Sequence, residues 1–113
     1  MWGQYGKVKL LQILAGRFRE EVARAGMTTT DGTIGIVATG FMDEVLLRRM
    51  IDALPEGAWE LVCHPGYNDA ALKATKTRLR ESRAEELRVL TSPNVREMLA
   101  SSGVQLISYR DLG

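Results

Sequence analysis

The chain has 113 residues, enough for one domain with a single hydrophobic core. Its 45% apolar and 26% charged residues are typical of an ordinary globular protein. The formal net charge of +1 gives no general attraction for nucleic acid or an anionic membrane, so we expect neither as a partner. Without a secretory signal, the single cysteine, Cys63, indicates a reducing compartment, and we expect a cytoplasmic location.

The first half of the chain predicts a helix, a strand and a second helix. Residues 7–25 carry apolar side chains at spacings of three and four, which predicts an amphipathic helix ending at Gly26, with Leu11, Leu14, Phe18 and Val22 on its apolar side. The β-branched segment 33–39 predicts a short buried strand or extended segment. Asp43 is expected to cap a second helix that ends before Pro55, with an inner face of Leu46, Leu47, Met50, Ile51 and Leu54.

The second half begins with another short strand. The apolar segment 59–63 lies between Gly57 and a Pro65-Gly66 turn and is too short for a helix, so it predicts a buried parallel strand. Asp69 is expected to cap a polar segment running through Leu72 and Leu79. A break should follow before a better helical stretch, in which one side is shared by Ala84, Leu87 and Leu90.

The chain closes with a helix and a predicted third strand. Ser92 as the N-cap and Pro93 at the first helical position predict a helix that ends at Gly103 and faces inward through Val95, Met98 and Leu99. Apolar alternation in residues 104–109 predicts the strand.

The predicted order is α-β-α-β-α-α-β within one domain, residues 1–113. It indicates an α/β fold with about three parallel strands and four helices. So small a sheet leaves two exposed edges, which favours a homodimer, a strand exchange or a missing upstream domain.

His64, the only histidine, is the candidate catalytic residue, because the predicted strand 59–63 delivers it into the Pro65-Gly66-Tyr67 turn. The carboxyl ends of parallel strands are where α/β sheets hold their ligands. A pKa near 6.5 is ordinary for histidine and suits a general acid or base. The other interpretation, at about even odds, is a structural histidine bonded to a carbonyl.

The residues around His64 have plain structural explanations as well. Gly66 allows either a tight turn or close approach to a substrate, with the turn favoured about two to one. Tyr67 suits stacking on a sugar or donating a hydrogen bond, and equally a half-buried lid position. Asp69 is about three times better explained as a helix cap than as a catalytic carboxylate.

Other kinds of site are poorly supported. No metal-spaced cluster accompanies His64, and the glycines at Gly32, Gly35 and Gly40 match no nucleotide-binding fingerprint. Six basic residues in segment 73–88 are interleaved with Glu81, Glu85 and Glu86, which favours a solvated helix surface about fourfold over a nucleic-acid face.

A wider pattern resembles a known family. It comprises Leu54-Pro55-Glu56-Gly57, the run Glu60-Leu61-Val62-Cys63-His64-Pro65-Gly66-Tyr67, then Arg83, Glu86-Leu87 and Leu90-Thr91-Ser92-Pro93. Together with Asp31-Gly32, Gly35 and segment 103–109, it is similar to the carboxyl-terminal half of the YdjC-like carbohydrate deacetylases, which include chitooligosaccharide deacetylases and hopanoid-biosynthesis relatives.

The resemblance implies a partial (β/α) barrel and metal-dependent removal of an acetyl group from an acetylated amino sugar. It implies that His64 protonates the departing amine while Pro65, Gly66 and Tyr67 contact the substrate. The family's divalent metal, Mg or Zn, is held by motifs of its amino-terminal half that this sequence lacks. We therefore expect no cofactor on this chain alone and no independent activity. The alternative is a non-catalytic sugar-binding or protein-interaction module that kept the fold.

Overall fold

A long first helix opens the chain in the computed structural model, which describes residues 2–113 and, from residue 6 onward, all side chains except those of residues 8 and 11. Helix α1 spans Trp2–Arg24 and confirms the predicted helix, extended toward the amino terminus. Gly26, with φ of 67°, turns the chain after it. The predicted apolar side is largely exposed, however, because Leu14 and Phe18 find little to pack against. The side chain of Leu11 lies outside the described part.

Two short parallel strands form the sheet. Strand β1 covers Gly32–Ile34 and strand β2 covers Trp59–Leu61, with Gly32 opposite Trp59 and Ile34 opposite Leu61. Both are shorter than predicted. Strand β1 ends where Gly35, at φ of 93°, turns the backbone away from the extended conformation.

Helix α2, Glu44–Asp52, begins as predicted, with Asp43 Oδ1 accepting the Leu46 N–H at 2.8 Å. Its buried side chains, Leu47 and Ile51, pack into a core with three residues from the later helices: Val89, Val95 and Met98. This core lies between α2 and the carboxyl-terminal helices and supports one side of β2 through Leu61.

Three helices follow the sheet, namely α3 at Ala70–Ala74, α4 at Glu81–Leu90 and α5 at Pro93–Ser101. The predicted break falls at residues 75–80, so the described residues contain five α-helices rather than four. Helix α5 begins as predicted, with Ser92 at the N-cap position and Pro93 at the first helical position, although the Ser92 side chain makes no cap hydrogen bond. The buried residues of α4 are Glu86 and Val89; on the predicted side of this helix, Leu87 and Leu90 are half-buried and Ala84 is exposed.

The predicted third strand is not formed. Residues 104–108 have no regular secondary structure and lead into a 3₁₀ helix at Tyr109–Leu112. Asp111 Oδ2 accepts both the backbone N–H and the hydroxyl of Ser108, at 2.7 and 3.0 Å, and these bonds stabilise a turn instead of an extended chain. The described residues therefore form an α/β fold with a two-stranded parallel sheet, and a three-stranded partial barrel is not confirmed. None of the described helices is long and apolar enough to cross a membrane.

Candidate active-site loop

The loop that carries His64 continues directly from the sheet. The Val62 N–H donates to the Ile34 carbonyl at 2.9 Å, one residue beyond the strand pairing. His64 therefore lies just past the carboxyl end of β2, the position expected from the sequence. We refer to residues 64–67 as the His64 loop.

Helix α4 holds this loop through a buried carboxylate. The His64 backbone N–H donates to Glu86 Oε2 at 3.2 Å, and Glu86 is only 1% exposed. The second carboxylate oxygen, Oε1, is also buried and has no hydrogen-bond partner among the described residues. Glu86 was predicted to be part of a solvated surface, and that prediction is wrong. The sequence signal for its position was Glu86-Leu87 in the family pattern.

A second backbone bond joins the loop to the same helix. The Gly66 N–H donates to the Arg83 carbonyl at 3.1 Å. The Arg83 Nε–H in turn donates to the Leu79 carbonyl at 2.8 Å, which fixes the start of α4. The loop thus lies along the first turns of α4 and does not extend freely into solvent.

The side chains of the loop differ in exposure. His64 is half-buried, with a buried Nδ1 that has no partner among the described residues, while Tyr67 is 78% exposed. The carbonyl bond expected of a structural histidine is therefore not made at Nδ1. The neighbouring Asn68 also has a buried, unpaired side-chain oxygen, a feature that the sequence did not indicate.

Two residues near the loop, Cys63 and Asp69, have features that a structural role explains. Burial, and secondarily the negative charge of Glu86, raises the pKa of the Cys63 thiol, which disfavours the nucleophilic thiolate. Asp69 Oδ1 accepts the Leu72 N–H at 3.0 Å and caps α3, as its favoured interpretation predicted.

The described residues do not fit a metal ion. They contain no group of three or more His, Cys, Asp or Glu side chains placed to hold one. No step through a metal can be built from the side chains that this structure describes.

Two large clefts lie elsewhere, and His64 lines neither of them. One, of about 870 Å³, is bounded by α2, α5 and residues 102–109. The other, of about 850 Å³, is bounded by α1, β1 and residues 35–38. The first cleft contains a small cluster of polar side chains, in which the Thr30 hydroxyl donates to Glu60 Oε1 at 2.9 Å. Hydrogen bonds from the side chain of Tyr109 and, to a smaller extent, of Thr30 hold the pKa of Glu60 below its ordinary value.

The positive charge of the basic segment 73–88 is partly neutralised by ion pairs at Arg88. Arg88 Nη2 lies 2.7 Å from Glu85 Oε1, and Arg88 Nη1 lies 3.5 Å from Glu44 Oε1. These exposed pairs agree with the solvated surface predicted for the other charges of this segment.

Comparison with protein families places these features in context. The model described as YdjC-like protein matches residues 2–101, nearly the whole chain and all of the His64 loop. The chain belongs to the YdjC-like family.

Curated relatives of this YdjC-like chain are named as deacetylases. A carbohydrate deacetylase from Geobacillus stearothermophilus is 43% identical over 63 residues, which cover 55% of this chain and 25% of the relative. A chitooligosaccharide deacetylase from Serratia marcescens is 32% identical over 97 residues, 83% of this chain and 38% of the relative. The matches thus span well under half the length of these relatives, and no solved structure matches the chain.

Proposed function

We propose that this chain forms part of the active site of a carbohydrate deacetylase, in which His64 is the general acid. The observation that carries the proposal is the family match across the His64 loop, together with relatives named as deacetylases. The substrate would be an acetylated amino sugar, contacted by Pro65, Gly66 and Tyr67.

Amide hydrolysis explains why a histidine is needed. Water adds to the acetamido carbonyl carbon, the carbon–nitrogen bond breaks, acetate leaves, and the sugar nitrogen must gain a proton to depart as an amine. The protonated His64 imidazole supplies that proton. The attacking water loses two protons as its oxygen becomes part of acetate: one restores the protonated imidazole and the other is released to solvent. The half-buried ring at the end of β2 supports this role, because the strand fixes its backbone.

General acid catalysis alone falls short of what amide hydrolysis requires, since it contributes about 10²- to 10⁴-fold. We therefore propose that the chain works with further protein, either an amino-terminal half that supplies the metal site or a second copy. Exposed apolar side chains on α1 support such an assembly: Leu10, Ile13, Leu14 and Phe18.

A sugar-binding module without catalysis is the second candidate. The exposed ring of Tyr67 favours it, because an exposed aromatic side chain beside a fixed loop can stack on a sugar whether or not chemistry follows.

Acetate release from an N-acetylated chitooligosaccharide tests the proposal. The proteins are the chain alone and a chimera in which the chain replaces the matching segment of the Geobacillus deacetylase, both assayed with added Mg²⁺ or Zn²⁺. We expect release only from the chimera, with loss in His64→Ala but not in the control Lys76→Ala, an exposed site.

Three other results would change the proposal. Release by the chain alone would show that no further half is needed. Release that survives His64→Ala would remove His64 from the chemistry. If nothing is released but the oligosaccharide shifts the His64 imidazole NMR signals, the chain is a binding module.

A further inference from the structure

Glu86 is an unusual residue for the interior of so small a protein. It is 1% exposed, yet its carboxylate accepts one hydrogen bond from the described residues and has one buried oxygen without a partner. Burying a carboxylate with so few partners is costly, and an apolar side chain would pack beside Val89 more favourably. Glu86 therefore needs an explanation other than core stability.

The pattern of bonds to the loop supplies one. Residues 64–66 have two backbone N–H groups, because Pro65 has none, and both donate to α4. His64 donates to the Glu86 carboxylate and Gly66 donates to the Arg83 carbonyl. Positions 83 and 86 are three residues apart and so lie on the same side of the helix. Both backbone donors of residues 64–66 are thus fixed to one side of α4.

Fixing the His64 backbone also fixes the Cα position from which the imidazole side chain extends. The rate of a proton transfer depends steeply on geometry, and a displacement of about 1 Å can lower a rate by about 10²-fold. A charged acceptor makes a stronger hydrogen bond than a neutral one, so a carboxylate holds the His64 N–H more firmly than an amide oxygen would.

We propose that Glu86 is a positioning residue: it holds the His64 backbone, and through it the imidazole, in the orientation that protonates the leaving amine. This role rests on the proposed function of His64. In this role Glu86 makes no contact with the substrate and acts only through His64.

Hydrogen exchange at the His64 amide tests the positioning directly. His64 is the only histidine, so selective ¹⁵N-histidine labelling gives a single backbone amide signal. In Glu86→Leu, which removes the acceptor, we expect that amide to exchange about tenfold faster or more. In Glu86→Gln, which keeps a neutral acceptor, we expect a smaller acceleration of about threefold.

Two controls separate positioning from general loosening. Val89→Ala removes a fully buried side chain from the same helix without touching the His64 bond. The Val62 amide, which donates to the Ile34 carbonyl and is followed in a uniformly ¹⁵N-labelled sample, is a reference next to the loop. We expect Val89→Ala to accelerate both amides alike and the Glu86 variants to accelerate His64 selectively. If Glu86→Leu does not fold, faster exchange of the His64 amide relative to the Val62 amide in Glu86→Gln decides whether Glu86 holds His64.

Equal exchange of the His64 amide in wild type and both Glu86 variants, relative to Val62, would overturn the proposal. In the active chimera we expect Glu86→Leu to lower kcat at least tenfold with KM nearly unchanged, and Glu86→Gln to restore part of it. A kcat no lower than that of Val89→Ala would also overturn it. If the chimera releases no acetate, the deacetylase assignment fails, and the exchange result still decides whether Glu86 holds His64.

Discussion

Gly32 and Trp59 occupy paired positions of the two strands, and the indole ring covers the glycine directly. A Cβ placed on Gly32 would lie 2.4 Å from Trp59 Cζ3 and 3.0 Å from Cε3. In this register the Trp59 ring occupies the space that a side chain on Gly32 would need. Since β2 leads into His64, this contact helps to set the position of the loop.

Replacing Gly32 by alanine should therefore destabilise the protein. The ring or the strand must shift to admit the methyl group, and overpacking of this kind costs about 1–3 kcal/mol. Urea unfolding followed by tryptophan fluorescence measures the change. Gly16→Ala is the matched control, because nothing lies within 4 Å of the added Cβ on α1. It should stabilise α1 by up to about 1 kcal/mol. A loss in both variants would mean that the Trp59 contact is not the cause.

Local signals explain what the sequence predicted well. Helix α2 follows from an apolar spacing of three and four and an Asp43 cap, both contained within a dozen neighbouring residues. The placement of His64 after a short apolar strand is likewise local, because the apolar segment 59–63 and the Pro65-Gly66 turn lie on either side of it in the sequence. The caps at Asp43 and Asp69 were found for the same reason.

Features that depend on distant partners were missed. Alternation in residues 104–109 is compatible with a strand, but a strand also needs a backbone to pair with, and the Ser108–Asp111 bonds form a turn instead. Glu86 has the composition of a surface residue. Its burial is decided by the His64 N–H, 22 residues earlier in the chain, which no helical periodicity can indicate. The exposed apolar side of α1 similarly has the pattern of a buried helix.

Gly66→Ala should separate structure from function. The added Cβ would lie 3.7 Å from the nearest atoms, on Arg83, and Gly66 is not among the glycines with positive φ, so stability should change by less than about 0.5 kcal/mol. If the backbone approaches the sugar here, the chimera should lose oligosaccharide affinity or activity. Unfolding and acetate release are measured on the same protein. Unchanged activity would remove Gly66 from the substrate-contacting residues.

Stability should decline at both ends of the pH range because of Glu60 and Tyr109. The bonds from Tyr109 and Thr30 lower the pKa of Glu60 from 4.5, so its contribution is present above that value and is lost as pH falls through the folded pKa. The pKa of Tyr109 is raised from 10.0, chiefly by its bond to Glu60, so its contribution is present below pH 10 and is lost as pH rises through the folded pKa.

Tyr109→Phe tests this pair because it removes only the phenol oxygen. It should abolish the alkaline decline attributable to Tyr109 and weaken the acid decline, since Glu60 then keeps only the Thr30 bond. Urea midpoints between pH 3 and pH 11 give both slopes. Tyr67→Phe, at a 78% exposed ring, is the control and should leave the profile unchanged. An identical profile in Tyr109→Phe would show that the pair does not stabilise the fold.

Cys63 should react slowly with alkylating agents at neutral pH and faster once Glu86 loses its charge. Burial raises the thiol pKa first and the Glu86 carboxylate adds to the effect, so Glu86→Gln removes the second cause and lowers the pKa. The rate of iodoacetamide labelling, followed from pH 6 to pH 10, should reach half its maximum at a lower pH in Glu86→Gln than in wild type. Glu85→Gln changes a neighbouring glutamate whose partner is Arg88 and should leave the midpoint in place. A lower pH midpoint in both variants would point to a long-range charge effect. It would contradict the conclusion that the Glu86 carboxylate is held beside the backbone of Cys63 and His64.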